Sequence, residues 1–258
     1  MIINIKSFIC VWILSICFNV AYGQDQSKTL VINQGAQYVV KSNNSLILDT
    51  LIMEDNAVLH FLPIVKGTLI VKTAIIGNNC FISSKGLTKF DGQNGGSLSL
   101  TIYFKELGSL IIDTSGGDGK NGRNGTNGHS GTPDRVENMP VYDNSGKLQT
   151  TIRRFIPGTP AIAGSPGSSG GSGGSGGDLE LCYGTDNFII NFNNSKSSPN
   201  IMIKTNAGKR GIGGRSGYSG KSYNGQLINQ PGGSSTAQRK KKPLDGKVIL
   251  SMLNEQSL

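Results

Sequence analysis

GGDGKNGRNGTNGHSG, residues Gly116–Gly131, places glycine at 116, 119, 122, 125, 128 and 131, every third position without a miss. Glycine supplies 37 of the 258 residues, about twice its share in ordinary proteins. A period of three belongs neither to an α-helix nor to a β-strand, whose faces repeat every 3.6 and 2 residues. It matches polyproline II, with three residues per turn and ~3.1 Å rise, so the stretch would span about 50 Å. That conformation makes no hydrogen bonds to itself. Glycine along one edge lets a second backbone come close enough to supply them. Gly122 and Gly125, in mid-tract, are expected at such contacts, so Gly122→Val should be damaging where Asn121→Val is not.

The register returns twice. A second tract keeps it at Gly158, Ala161, Gly164, Gly167, Gly170, Gly173 and Gly176, and a third at Gly208, Gly211, Gly214, Gly217 and Gly220. The register is collagen-like, but a collagen segment wants imino acids at about 15–20% or more, and the first and third tracts contain no proline. The tracts resemble instead glycine-rich proteins that bundle several polyproline II helices of one chain, such as the glycine-rich antifreeze proteins of arthropods. That resemblance implies a fold and no activity. A flexible linker is the alternative, and SSGGSGGSGG at 168–177 would suit one, yet linkers have no reason to hold register in three places. The second tract is preceded by an insertion, 132–157, rich in polar and turn residues, with a hairpin expected to close at Asn144-Ser145-Gly146. Exposed insertions are where binding residues concentrate.

Before the tracts the chain reads as strands. Short runs of Val, Ile and Leu (VLHF at 58, LIVK at 69, CFIS at 80) recur at 11-residue spacing with Asn or Gly ahead of each, the pattern of strands separated by tight turns. A fixed short period suggests a solenoid in which each unit buries its face on the next; an antiparallel sandwich of the same strands is the other arrangement. An internal repeat follows. Three times a strand ends in Ile, then Ser or Thr, then Gly (at Ile82, Ile112 and Ile203), and three times a tract re-enters a strand (GGSLSLT from Gly95, GGDLELC from Gly176, DGKVILS from Asp245). The fold class expected is all-β: a β-solenoid or sheet layer followed by strands framing a bundle of glycine-rich polyproline II helices. The divisions are a signal peptide over 1–23, a strand-rich domain over 24–112, and a glycine-tract and strand domain over 113–258 with the inserted loop at 132–157.

The signal peptide rests on Lys6, the apolar run Ser7–Ala21 and the small-residue site Ala21-Tyr22-Gly23, too short a run for the roughly 20 residues of a spanning helix. Export permits a disulfide between the two mature cysteines, Cys80 and Cys182; two buried free thiols fit the same apolar surroundings. Charge is uneven. Residues 24–195 hold thirteen basic and fourteen acidic side chains, whereas 196–258 hold eleven basic and only Asp245 and Glu255. Lys209, Arg210, Arg215 and Lys221 sit in the third tract, and Arg239, Lys240, Lys241 and Lys242 follow it. In a polyproline II helix Lys209, Arg215 and Lys221 share an edge. This basic edge, taken as all eight residues, is the candidate binding site, for an acidic protein surface or an anionic envelope component. An exported chain with no aromatic platform beside its lysines is not expected to bind nucleic acid.

Catalytic constellations are scarce. His60 and His129 are isolated from cysteines and acids, and nothing sets two of Asp49, Asp55, Asp91, Asp113 and Asp118 at a working separation. Asp113 and Asp118 flank the first tract, but two carboxylates do not make a calcium-binding repeat. No enzyme activity, metal or cofactor is expected. The expected function is that of an exported, periplasmic or cell-surface structural or interaction protein of a bacterial envelope. In general composition it is similar to periplasmic accessory or plug proteins of the type 9 secretion translocon, which implies a partner in an outer-membrane secretion channel. A cell-surface adhesin or matrix protein, or a glycan- or ice-binding module, are the alternatives.

Overall fold

The computed structural model describes residues 28–41, 43–195, 197–222 and 242–253; the signal-peptide assignment and Arg239, Lys240 and Lys241 lie outside them. Fourteen strands and no helix occupy the described residues. They are β1 (Thr29–Ile32), β2 (Gln37–Val39), β3 (Ser45–Met53), β4 (Val58–His60), β5 (Gly67–Ile76), β6 (Cys80–Ser83), β7 (Leu98–Leu107) and β8 (Ser109–Asp113). There follow β9 (Arg135–Tyr142), β10 (Leu148–Ile156), β11 (Leu179–Thr185), β12 (Asn191–Phe192), β13 (Asn200–Lys204) and β14 (Val248–Met252). One six-stranded sheet has the order β1-β3-β5-β7-β11-β14 and a second the order β12-β13-β8-β6-β4-β2.

Within both sheets every pairing is parallel, which sets aside the antiparallel sandwich. A parallel pair needs a crossover. Here the crossover from one strand to its neighbour is a strand of the opposite sheet, since β1 to β8 alternate between the two. The 11-residue spacing seen in the sequence is therefore the step from one sheet to the other. Bonded neighbours lie one step further on, as in Leu59↔Ile82. Turns between sheets use residues that tolerate a left-handed backbone: Asn56 precedes β4 with φ 62° and Asn79 precedes β6 with φ 53°, asparagine being among the few non-glycine residues that adopt it readily.

Alternation along each strand sends one set of side chains between the sheets. Leu69, Val71, Leu98, Leu100, Ile102, Phe104, Leu179 and Leu181 come from the first sheet and Leu59, Cys80, Ile82, Leu110, Ile112 and Ile201 from the second, all buried in one cluster. The internal repeat is a physical superposition: Ile82 pairs with Ile112 and Ile112 with Ile203, while Leu98 pairs with Leu179 and Leu179 with Val248. The expected boundary at 112/113 falls where β8 gives way to the first tract, and strands on both sides of it share the same two sheets.

The insertion forms the hairpin expected of it, β9 pairing antiparallel with β10. Its turn is held by Asp143, whose carboxylate accepts the N–H groups of Ser145 and Lys147 at 2.9 Å, with Gly146 at φ +79°. Val136, Met139, Tyr142, Ile152 and Phe155 are all exposed on it.

Cys80 and Cys182 are free thiols. Cys80 belongs to the second sheet, buried against the carbonyls of Met53 and Glu54 at 3.7 and 3.1 Å; Cys182 belongs to the first and is half-buried. Burial pushes the Cys80 thiol above its ordinary pKa, which keeps the reactive thiolate scarce. The native protein should leave Cys80 unlabelled by an alkylating reagent, and the mature protein, lacking residues 1–23 with Cys10 and Cys17, should take two labels per chain when denatured without reductant. Denatured protein that takes none would show a bridge.

Candidate functional site

The three glycine tracts, 114–131, 158–177 and 205–222, adjoin the ends of β8, β11 and β13 and are bonded into a ring. Gly116, Gly119, Gly122, Gly125, Gly128 and Gly131 donate their N–H groups to the carbonyls of Asn206, Lys209, Ile212, Arg215, Tyr218 and Lys221. The constant offset makes tracts one and three parallel. Gly208, Gly211, Gly214, Gly217 and Gly220 donate to Gly174, Gly171, Ser168, Ser165 and Ile162, so tract three runs antiparallel to tract two. Tract two closes the ring: Ile162, Ser165, Ser168, Gly171, Gly174 and Gly177 donate to His129, Thr126, Arg123, Lys120, Gly117 and Thr114. All of these bonds are 2.7–3.1 Å long. Every third donor of each tract thus finds the partner that its own backbone cannot offer.

The glycine edges face inward. A Cβ added at Gly122 would overlap the carbonyl oxygen of Ser168, one at Gly125 that of Ser165, and one at Gly214 that of Arg123. Gly213, off this register, has nothing nearer than the Ser168 carbonyl oxygen at 3.9 Å. In tract two the inward glycines (Gly164, Gly167, Gly170, Gly173) and the bonding donors (Ile162, Ser165, Ser168, Gly171) are different files, which the glycine period alone does not separate.

A second ladder uses side chains. The side-chain oxygens of Asp118, Asn121, Asn124, Asn127 and Ser130 accept the N–H groups of Lys209, Ile212, Arg215, Tyr218 and Lys221 at 2.6–3.2 Å. This corrects the expectation that Asn121 is free to change. The second residue after each glycine of tract one is a structural acceptor holding tract three. The recurring Asn at that place was the available signal, but a sequence does not say which tract lies alongside to be held.

The basic residues divide. Lys209, Arg215 and Lys221 lie on one file, as the period of three predicts, and Ile212 and Tyr218 alternate with them there; all five side chains are exposed. Arg210 is exposed on the next file, with Gly213, Ser216 and Ser219, so it does not join that edge. Lys242 is exposed at the foot of the bundle, near Leu244, which bonds to Ser175 and Gly176. Lys120 and Arg123, also exposed, add two cations from tract one that counting charge by chain segment missed. The described ion pairs lie elsewhere: Lys66–Glu180, Lys72–Asp49, Lys85–Asp113 and Arg135–Glu137. Among the described residues, then, the cations of tracts one and three form no ion pair, although the Asp118 carboxylate lies beside Lys209, on its backbone N–H.

The carboxylates considered for chemistry are engaged with their own backbone. Asp113 accepts from the Ser115 N–H and hydroxyl, Asp118 from Lys209, Asp91 from Ser172 and Asp55 from Asn78. Among the described residues no three His, Cys, Asp or Glu side chains gather into a group that could hold a metal ion. No protein-family model, curated protein or solved structure matches the chain.

Proposed function

We propose that this chain is an exported, non-enzymatic interaction protein of a bacterial envelope. In it a β-solenoid carries a bundle of three polyproline II helices, and the bundle's basic edge meets an acidic partner. The solenoid reading is supported by strands that alternate between two parallel sheets, and the polyproline II reading by donors at every third residue. One observation carries the function: the bundle bonds every third backbone donor internally and turns outward a file of cations that form no ion pair among the described residues. Fixed like charges repel one another and cost folding energy, so keeping them suits a surface that is neutralised by something else.

The partner is an acidic surface of an outer-membrane secretion channel or another anionic envelope component. The test is affinity capture from solubilised envelope on the immobilised mature protein, at low salt and at ~0.5 M salt, where the screening length is well below 8 Å. A partner retained at low salt and released at high salt is the expected result. Capture of nothing, or capture indifferent to salt, would overturn the reading.

A further inference from the structure

Where the parallel tracts one and three lie side by side, two regular files run along the surface. On one side stand the amides of Asn121, Asn124 and Asn127. Their oxygens are committed to tract three, and their amino groups, each with two donors, have no hydrogen-bond partner among the described residues. On the other side, cation and apolar side chain alternate: Lys209, Ile212, Arg215, Tyr218, Lys221. Ile212 is 75% exposed and Tyr218 80%, so neither is used to hold the bundle together. Positions along either file repeat every three residues, about 9 Å, and the five members span about 37 Å.

We infer that this face binds a linear anionic polysaccharide laid along the tracts, an inference that rests on the interaction role proposed above and names its partner. The chemistry matches one ligand class. Cations spaced along a line take carboxylate or sulfate groups spaced along a chain. Amide donors take the hydroxyls between them. An exposed tyrosine ring between charges offers an apolar plate of the kind against which sugar faces pack. An acidic peptide would look for backbone partners, and the backbone donors on this side of tract three are already bonded to the asparagine ladder. A membrane presents its charges in a plane and gives no reason for a single file with donors in register.

The test separates alignment from total charge. The variant Lys209→Ser/Arg215→Ser/Gly213→Lys/Ser216→Arg moves two cations to the neighbouring file and leaves net charge unchanged; Gly213 has room for a side chain. The probes are oligogalacturonates of three to twelve residues, measured by titration calorimetry, with neutral dextran and phosphatidylglycerol vesicles beside them. Wild-type affinity should rise with oligomer length up to a chain of about 37 Å, dextran should not bind, and the variant should bind at least tenfold more weakly at an unchanged melting temperature. Tyr218→Ser, which alters no charge, should weaken binding several-fold. Equal affinity of the variant and wild type, no dependence on length, or binding to vesicles alone would each overturn the inference. Salt-sensitive capture of an envelope protein without oligogalacturonate binding would overturn it too, while leaving the broader interaction role standing.

Discussion

Gly122→Val should dismantle the glycine bundle and lower the melting temperature by on the order of 10 °C. The valine Cβ would occupy the position of the Ser168 carbonyl oxygen. No rotamer relieves that clash, because the obstacle is backbone of a neighbouring tract, and one displaced tract loosens the bonds of the other two. The cost belongs at the top of the range for single substitutions, about 4 kcal/mol or more. Gly213→Val is the internal control: same tract composition, one residue off the inward file, open space around the Cβ, and a change expected within about 0.5 kcal/mol. Asn121→Val falls between them, since it strips the Ile212 N–H of its acceptor while leaving that donor near solvent, at about 1 kcal/mol. Thermal melts of the three variants decide the matter; equal losses for Gly122→Val and Gly213→Val would refute the inward glycine edge.

Phe104→Ala should be the most costly change in the sheets. Phe104 is fully buried in β7, between Ala74 of β5 and Thr185 of β11 in the register of the first sheet. Removing the ring leaves a cavity that parallel strands bonded on both sides cannot collapse into, for a loss of about 3–5 kcal/mol. The guanidinium midpoint should fall with little change in slope. Ile47→Ala, on the outer face of the same sheet and 56% exposed, should cost less than about 1 kcal/mol. Comparable losses at the two positions would mean that the interior has been assigned to the wrong face.

Much of this architecture was legible because its determinants are local. The Val/Ile/Leu runs and the Asn or Gly before each fix strand and turn. The repeated Ile at 82, 112 and 203 signals stacking because parallel neighbours in register meet the same environment. Partner choice was less legible. The 11-residue spacing cannot say whether consecutive runs pair or alternate, and what decides it, the pairing of Leu59 with Ile82 and not with Leu69, is a long-range contact. The same limit applies to the bundle. Glycine period announces close backbones, but the order of tracts and the direction of each come from how β8, β11 and β13 are placed in the sheets. Asn121 shows the consequence: that its side chain is an acceptor depends on which tract lies alongside. Arg210 is a different case, since the period of three alone sets it off the file of Lys209, Arg215 and Lys221.

The hairpin of β9 and β10 is joined to the sheets only through tracts one and two, which lead back to β8 and β11. In the polyproline II reading proposed above, each residue rises ~3.1 Å of the 3.3–3.6 Å that it can span, and these two lines are then close to taut. A pull on the hairpin can lengthen them by only about a tenth. Beyond that, the load falls in shear on the whole row of bonds to tract three together, instead of opening them one at a time. The bundle is mechanically a stiff strut, and tension applied at its tip reaches the sheets with almost no stretch to absorb it.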